Sequence, residues 1–159
     1  MSTSLSVSQL KAQGHYQEAT ALALRQLAAE PEAAMLHFQL ACLYDVQGLE
    51  RQAIPCYLAA LDRDLPPAQR REAWLGLGST YRALGKYPAS LRAFDDGLAE
   101  FPQANELMLF RAMTLYNLGE GKRAVADLLL LLAETSSDPD IRGYQRAIRH
   151  YAADLNHID

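Results

Sequence analysis

Cysteine is scarce in this sequence, and its scarcity excludes several classes of small protein. The 159 residues contain only two cysteines, Cys42 and Cys56, and no CxxC pair. A disulfide-stapled scaffold, a zinc ribbon and a thioredoxin-type redox site are therefore excluded. Two isolated thiols in a chain of this length are typical of buried cysteines in a reducing compartment.

Long hydrophobic runs are also missing. The longest apolar run, from Leu128 to Ala133, is far shorter than the roughly 20 residues that a membrane-spanning helix needs. The N-terminal residues lack the basic start and the apolar block of a secretory signal. We therefore expect a cytoplasmic protein without a membrane partner.

The sequence has no excess of positive charge. Its formal net charge is -4, and a composition of 50% hydrophobic and 21% charged residues is that of a soluble globular protein. This balance argues against nucleic acid as the main partner. Three arginines near the C-terminus, Arg142, Arg146 and Arg149, are interpreted as a solvated helix face.

Motifs that support catalysis are absent too. The sequence contains no GxSxG, Walker A or HExxH motif. His150, Asp154 and His157 have a spacing that suits metal ligands on one helix face. Because these three residues end the chain without an apolar shell, they are interpreted as solvated. We expect a protein that is not an enzyme and that has no metal site and no cofactor.

A regular spacing of glycines divides the chain into repeating units. Four glycines, at positions 14, 48, 85 and 119, are separated by 34, 37 and 34 residues. Five residues after them stand the small residues Ala19, Ala53, Ser90 and Ala124. Nine residues after them stand Ala23, Tyr57, Phe94 and Leu128, and thirteen after them Leu27, Leu61, Leu98 and Leu132. A repeating unit of this length indicates stacked supersecondary elements.

The offsets within each unit are those of two helices. Apolar or small residues four and seven positions before each glycine share one helix face, as do those five, nine and thirteen positions after it. The glycine lies where the chain leaves the first helix, a place that favours positive φ. Each unit is therefore predicted to be a helix-turn-helix that cannot bury its apolar face alone. No stretch alternates with a period of two, so no strands are predicted.

The third unit is the most regular, running Ala73-Trp74-Leu75-Gly76-Leu77-Gly78-Ser79-Thr80-Tyr81, then Gly85, Phe94, Leu98 and Pro102. This pattern resembles the tetratricopeptide repeat. It differs from that repeat at Ser90 and Gly97, where alanine is usual. The strings FQLACLYDVQGLERQAIPCY and LGLGSTYRALGKY are similar to small stand-alone bacterial members of the family.

The resemblance implies an all-α fold, a right-handed α-solenoid of four hairpins with a C-terminal capping helix. The predicted repeats cover about residues 1–32, 33–66, 70–103 and 104–137, and the capping helix covers 139–155, all in one domain of residues 1–159. The capping helix is expected to cover the apolar edge of the last hairpin with Ile141, Ala147, Ile148 and Leu155.

Prolines and one aspartate refine the predicted boundaries. Leu65-Pro66-Pro67-Ala68 is predicted to form a loop, because proline cannot continue a helix and restricts the residue before it. Pro55 falls inside a predicted helix and is expected to kink it or to remove a hydrogen bond. Asp138 is predicted as the N-cap of the last helix, with Pro139 at its first position.

The resemblance places the first helix of each unit on the concave side of the solenoid. The inward positions lie ten, six and three residues before the glycine. The residues predicted to line this groove are Phe38, Cys42, Asp45, Leu75, Ser79, Arg82, Leu109, Met113, Tyr116 and Asn117. They combine an apolar strip with a polar rim, in which Asp45 and Arg82 are expected to pair.

Such a groove suits a peptide or a helix of another protein. Some family members bind a C-terminal carboxylate with a clamp rich in basic and amide residues. Such a clamp is not expected here, because the matching positions hold Ser8, Lys11, Gln39, Cys42 and Gly76, and only Arg82 and Asn117 could contribute. The sequence therefore predicts a non-catalytic adaptor or scaffold that binds an unidentified protein or peptide. The alternative is a self-associating structural module, such as a homodimer, without a separate ligand.

Overall fold

The computed structural model describes residues 4–158, which form ten helices joined by short turns and loops. In chain order they are α1 (Val7–Ala12), α2 (Tyr16–Ala29), α3 (Ala34–Val46), α4 (Glu50–Leu61), α5 (Pro67–Ala83), α6 (Tyr87–Glu100), α7 (Asn105–Asn117), α8 (Gly121–Thr135), α9 (Pro139–Gly143) and α10 (Gln145–Ala153). These residues include no strand, and the predicted all-α fold is confirmed. The start of the first predicted repeat, residues 1–3, and Asp159 lie outside the described residues.

Four turn glycines close the hairpins α1–α2, α3–α4, α5–α6 and α7–α8. Their φ angles are 79° at Gly14, 70° at Gly48, 70° at Gly85 and 80° at Gly119, as the sequence predicts. In the third hairpin the Gly85 amide donates to the Arg82 carbonyl, and the next amide donates to the Tyr81 carbonyl. This pair of bonds satisfies the last carbonyls of the helix.

The hairpins stack so that odd-numbered and even-numbered helices form two layers. Each odd helix contacts the odd helix of the next hairpin, whereas the even helices of successive hairpins have no comparable contact. The odd helices are therefore the inner, more closely spaced layer of a curved α-solenoid. Each odd helix from α3 to α7 also packs on the even helix that precedes it.

Glycines inside α5 and α6 bring the two helices of the third hairpin close together. A Cβ atom added at Gly78 would lie 2.6 Å from the ring of Phe94, and one at Gly97 would lie 2.8 Å from the Cβ atom of Trp74. The Ser90 hydroxyl donates to the Gly78 carbonyl at 2.8 Å and accepts from Thr114 at 2.8 Å. The departures from alanine at Gly97 and Ser90 thus have local reasons, a lack of space and a buried hydrogen bond.

The predicted proline effects are partly confirmed. The loop before α5 ends at Pro66, and Pro67 is the first residue of the helix, so the loop is shorter than predicted. Proline fits this position because the first amides of a helix have no partner within it. Helix α4 continues through Pro55. Because proline has no N–H, the Arg51 carbonyl lacks its usual helical donor.

The predicted capping helix is wrong in one respect, because it is two helices. The short α9 begins at Asp138, whose side chain accepts from the Asp140 amide at 2.9 Å, which confirms the predicted cap. It ends at Gly143, a residue that weakens a helix. After Tyr144 the chain continues as α10, which packs on α8, and Gln145 Nε2 donates to the Ala133 carbonyl at 2.6 Å.

Candidate functional site

The inner surface of the solenoid contains a cavity near each end. The first, which we call the N-terminal cavity, has a volume of about 470 Å³ between α1, α3 and the start of α5. It is lined by Val7, Ser8, Lys11, Ala12, Tyr16, Met35, Phe38, Gln39, Cys42, Val46 and Gln69. The second, the C-terminal cavity, has a volume of about 440 Å³ between α5, α7 and α8. It is lined by Arg82, Ala112, Met113, Tyr116, Gly121, Ala124, Val125 and Leu128.

A polar cluster centred on Asp45 lies between the inner helices α3 and α5. One carboxylate oxygen accepts from the hydroxyl of Tyr57, which reaches in from α4. The other lies 2.9 Å from the hydroxyl oxygen of Thr80, which also lies 2.7 Å from the Gly76 carbonyl oxygen. Burial of the Tyr57 ring raises the pKa of its hydroxyl, so that it stays a hydrogen-bond donor at neutral pH.

Arg82 and Asp45 do not have the partners that the sequence predicts. The Arg82 Nε atom donates to Asn117 Oδ1 on α7 at 2.8 Å, while Asp45 binds Tyr57 and Thr80. The reason is geometric, because each inner helix presents its polar side chains to the next inner helix. Polar links therefore follow the order of the hairpins, from α3 to α5 and from α5 to α7.

Six of the ten predicted groove residues fall into two sets, one packed inside the stack and one exposed to solvent. Phe38 is only 7% exposed and belongs to the core, although its ring lines the N-terminal cavity. Leu75 packs against the buried cluster that contains Phe94, and the Ser79 hydroxyl is buried without a hydrogen-bond partner among residues 4–158. By contrast, the side chains on α7 are exposed, namely Leu109, Met113 and Tyr116.

Sequence reasoning misses two groups of residues at this surface. The repeat pattern indicates a packing role for Tyr57, and no signal in its position indicates that its hydroxyl reaches Asp45. Val125 and Leu128 on α8 line the C-terminal cavity, although the capping helix is expected to cover the apolar edge of the last hairpin. Their exposure depends on how the segment after the last hairpin packs, which the repeat pattern does not describe.

The two cysteine thiols are unreactive at neutral pH. Cys42 and Cys56 are free thiols, and burial raises the pKa of both, which leaves them protonated at neutral pH.

The described residues contain no group of three or more histidine, cysteine or acidic side chains that could hold a metal ion. Within residues 4–158 no helix is long and apolar enough to cross a membrane.

The comparison with protein families decides the classification. The family model described as "Tetratrico peptide repeat" matches residues 32–155, which is more than half of the chain. The chain belongs to the tetratricopeptide repeat family. The family's fold is that of a protein-interaction module, and its members are typically non-catalytic.

Solved structures agree with this classification. A crystal structure of MamA matches with a TM-score of 0.69 and 16% sequence identity. The match covers 97% of this chain and 95% of that one. At this identity the likeness concerns the fold alone. No curated protein matches the sequence.

Proposed function

We propose that this protein is a non-catalytic adaptor that holds a peptide or a helix of a cytoplasmic partner protein against its inner surface. The observation that carries the proposal is the exposure of apolar side chains on the inner helix α7. Leu109 is 38% exposed, and Met113 and Tyr116 on the same helix face are exposed as well. Adjacent exposed apolar side chains on one helix face are typical of a surface that binds another molecule.

The proposed groove combines apolar anchors with fixed polar groups. Its two ends are the N-terminal and C-terminal cavities. The Asp45 cluster lies between α3 and α5, and the Arg82–Asn117 pair lies at the edge of the C-terminal cavity. An extended peptide or an amphipathic helix binds such a surface by placing side chains in the cavities. Because the solenoid is ordered before binding, little conformational entropy is lost on its side.

A photo-crosslinking amino acid tests the groove and identifies the partner in the same experiment. The probe replaces Leu109 on α7, or Leu58 on the outer helix α4, which is 46% exposed. Both positions are exposed leucines, so they differ mainly in the layer that they occupy. In cells that make the protein, we expect the probe at position 109 to crosslink a partner that the probe at position 58 does not.

Unfolding curves of both probe variants establish that the fold is intact. The partner identified by mass spectrometry should then lose affinity for a Leu109→Asp variant in a binding assay with purified proteins. Crosslinking from position 58 alone, or from neither position, contradicts the proposal. A crosslink from position 109 to a second copy of the chain supports the self-associating module instead.

A further inference from the structure

One face of each hairpin receives the next hairpin, and in the last hairpin this face is open. The position nine residues after the turn glycine shows the difference. Tyr57 in the second hairpin is 3% exposed and Phe94 in the third is 0% exposed, whereas Leu128 in the fourth is 39% exposed. The flanking positions agree, since Ile54 and Leu91 are half-buried and Val125 is exposed.

The cover of this face in the first three hairpins is always a helix. Tyr57 shares a core with Ala73 and Leu77 of α5, and Phe94 shares one with Leu107 of α7. In each case the covering helix contacts both helices of the hairpin before it. The face therefore has the shape that receives a helix of 13 residues, as in α3 and α7, or of 17 residues, as in α5.

Helix α10 does not take this place. It packs on α8 and makes no comparable contact with α7. Its polar links also run to α8, from Arg149 to Glu134 and from Asp154 to Lys122. The wedge between α7 and α8 stays open as the C-terminal cavity, and its lining is apolar except at one edge.

That edge is Arg82, which indicates the charge of the missing partner. Its Nε atom donates to Asn117, but no carboxylate among the described residues forms an ion pair with its guanidinium. The terminal nitrogens of a guanidinium bind a carboxylate with two charge-assisted hydrogen bonds. An acidic side chain on the ligand would supply what this chain does not.

We infer that this open face binds an amphipathic helix of a partner protein that places an acidic side chain opposite Arg82. The face, which we call the end face, consists of Arg82, Met113, Tyr116, Val125, Leu128 and Leu132. The inference rests on the proposed function, because the ligand is again another protein and the end face shares Arg82, Met113 and Tyr116 with the predicted groove. It is tested at Leu128, which does not belong to the predicted groove.

Three synthetic peptides of roughly 18 residues, long enough to form an isolated helix, serve as probes. The first carries a leucine stripe along one helix face and a single glutamate beside it. The second replaces that glutamate by glutamine, and the third distributes the same leucines around the helix. Binding to the full chain is measured by fluorescence anisotropy of labelled peptides.

We expect the first peptide to bind, and the second to bind roughly tenfold more weakly because a charge-assisted hydrogen bond is lost. Arg82→Gln should remove the difference between these two peptides. Leu128→Lys should weaken binding of the first peptide at least as much as the loss of glutamate does. Leu58→Lys, at an exposed leucine of the outer layer, is the matched control and should change nothing.

Several results would overturn the inference. They are equal binding of the third peptide, no binding of any peptide, equal loss in the Leu58→Lys variant, and discrimination that persists in Arg82→Gln. Sedimentation of the chain over a range of concentrations adds one more, since a dimer abolished by Leu128→Lys makes a second copy the occupant. Leu109 does not line the C-terminal cavity. A crosslink at position 109 without peptide binding therefore supports the groove alone, and peptide binding that Leu128→Lys weakens, without that crosslink, supports the end face alone.

Discussion

Phe94 and Leu128 occupy the same position in successive hairpins, and their environments differ completely. Each stands nine residues after a turn glycine, on the helix face that packs against the next unit. Phe94 is enclosed by Leu107 and Ala104, which belong to α7 and the turn before it. Among residues 4–158 no further hairpin packs on Leu128, which lines an open cavity.

Whether a side chain of a solenoid is buried therefore depends on the neighbouring unit as well as on its position in its own unit. Each unit contacts only the units beside it. The contribution of a side chain to the free energy of unfolding therefore depends on whether another unit covers it. The third hairpin has neighbours on both sides, whereas the fourth has α7 and α8 partly open to solvent. Substitutions of matched residues in covered and open parts of the stack measure this dependence.

The largest effect is expected at the compared position itself. Phe94→Ala should lower the free energy of unfolding by about 3–5 kcal/mol, because a fully buried ring leaves a cavity. Leu128→Ala should lower it by about 1 kcal/mol or less, since this side chain already meets solvent. Urea unfolding of both variants measures the difference, and similar midpoints would show that the two faces are equally covered.

A smaller effect is expected for tyrosine hydroxyls. Tyr57→Phe removes a donor to the Asp45 carboxylate inside the stack and should destabilise the protein by about 1.5–3 kcal/mol. Tyr116→Phe, on the open face of the fourth hairpin, should leave the unfolding midpoint unchanged. Equal effects of the two substitutions would mean that the Asp45 cluster contributes nothing to stability.

The next effect concerns glycines at which alanine improves helix propensity. Gly97→Ala should destabilise the protein by about 1–3 kcal/mol, because its Cβ atom would collide with Trp74, and this exceeds the gain in helix propensity of at most about 1 kcal/mol. Gly121→Ala, where nothing lies within 4 Å, should be neutral or stabilising. Thermal unfolding compares the two, and a stabilising Gly97→Ala would refute the close packing.

The smallest effect is expected from acid. A hydrogen bond from Arg70 lowers the pKa of Glu100, so this pair stabilises the fold above about pH 4.3 and the contribution is lost as the pH falls through the lowered pKa. Glu100→Gln should therefore lower stability at pH 7 by about 1 kcal/mol or less and have a smaller effect at pH 2. Glu120→Gln, outside any ion pair of the described residues, is the control at both pH values.

Much of the fold is readable from local signals. The turn glycines need positive φ whatever surrounds them, and the Asp138 cap depends only on the amide two residues later. The site is less readable, because helical periodicity shows which side chains share a face but not which face another element covers. Phe38 is on the predicted face and is nevertheless part of the core.

The repeating unit, its two helices and the turn between them follow from the amino-acid sequence, because they depend on residues close together in the chain. The hydrogen-bond partners of Asp45 and Arg82, the break between α9 and α10, and the exposure of Leu128 follow from the way in which the hairpins stack. Those outcomes depend on distances between hairpins, and a hydrogen bond or a buried ring exists only where the stacked neighbour lies within reach.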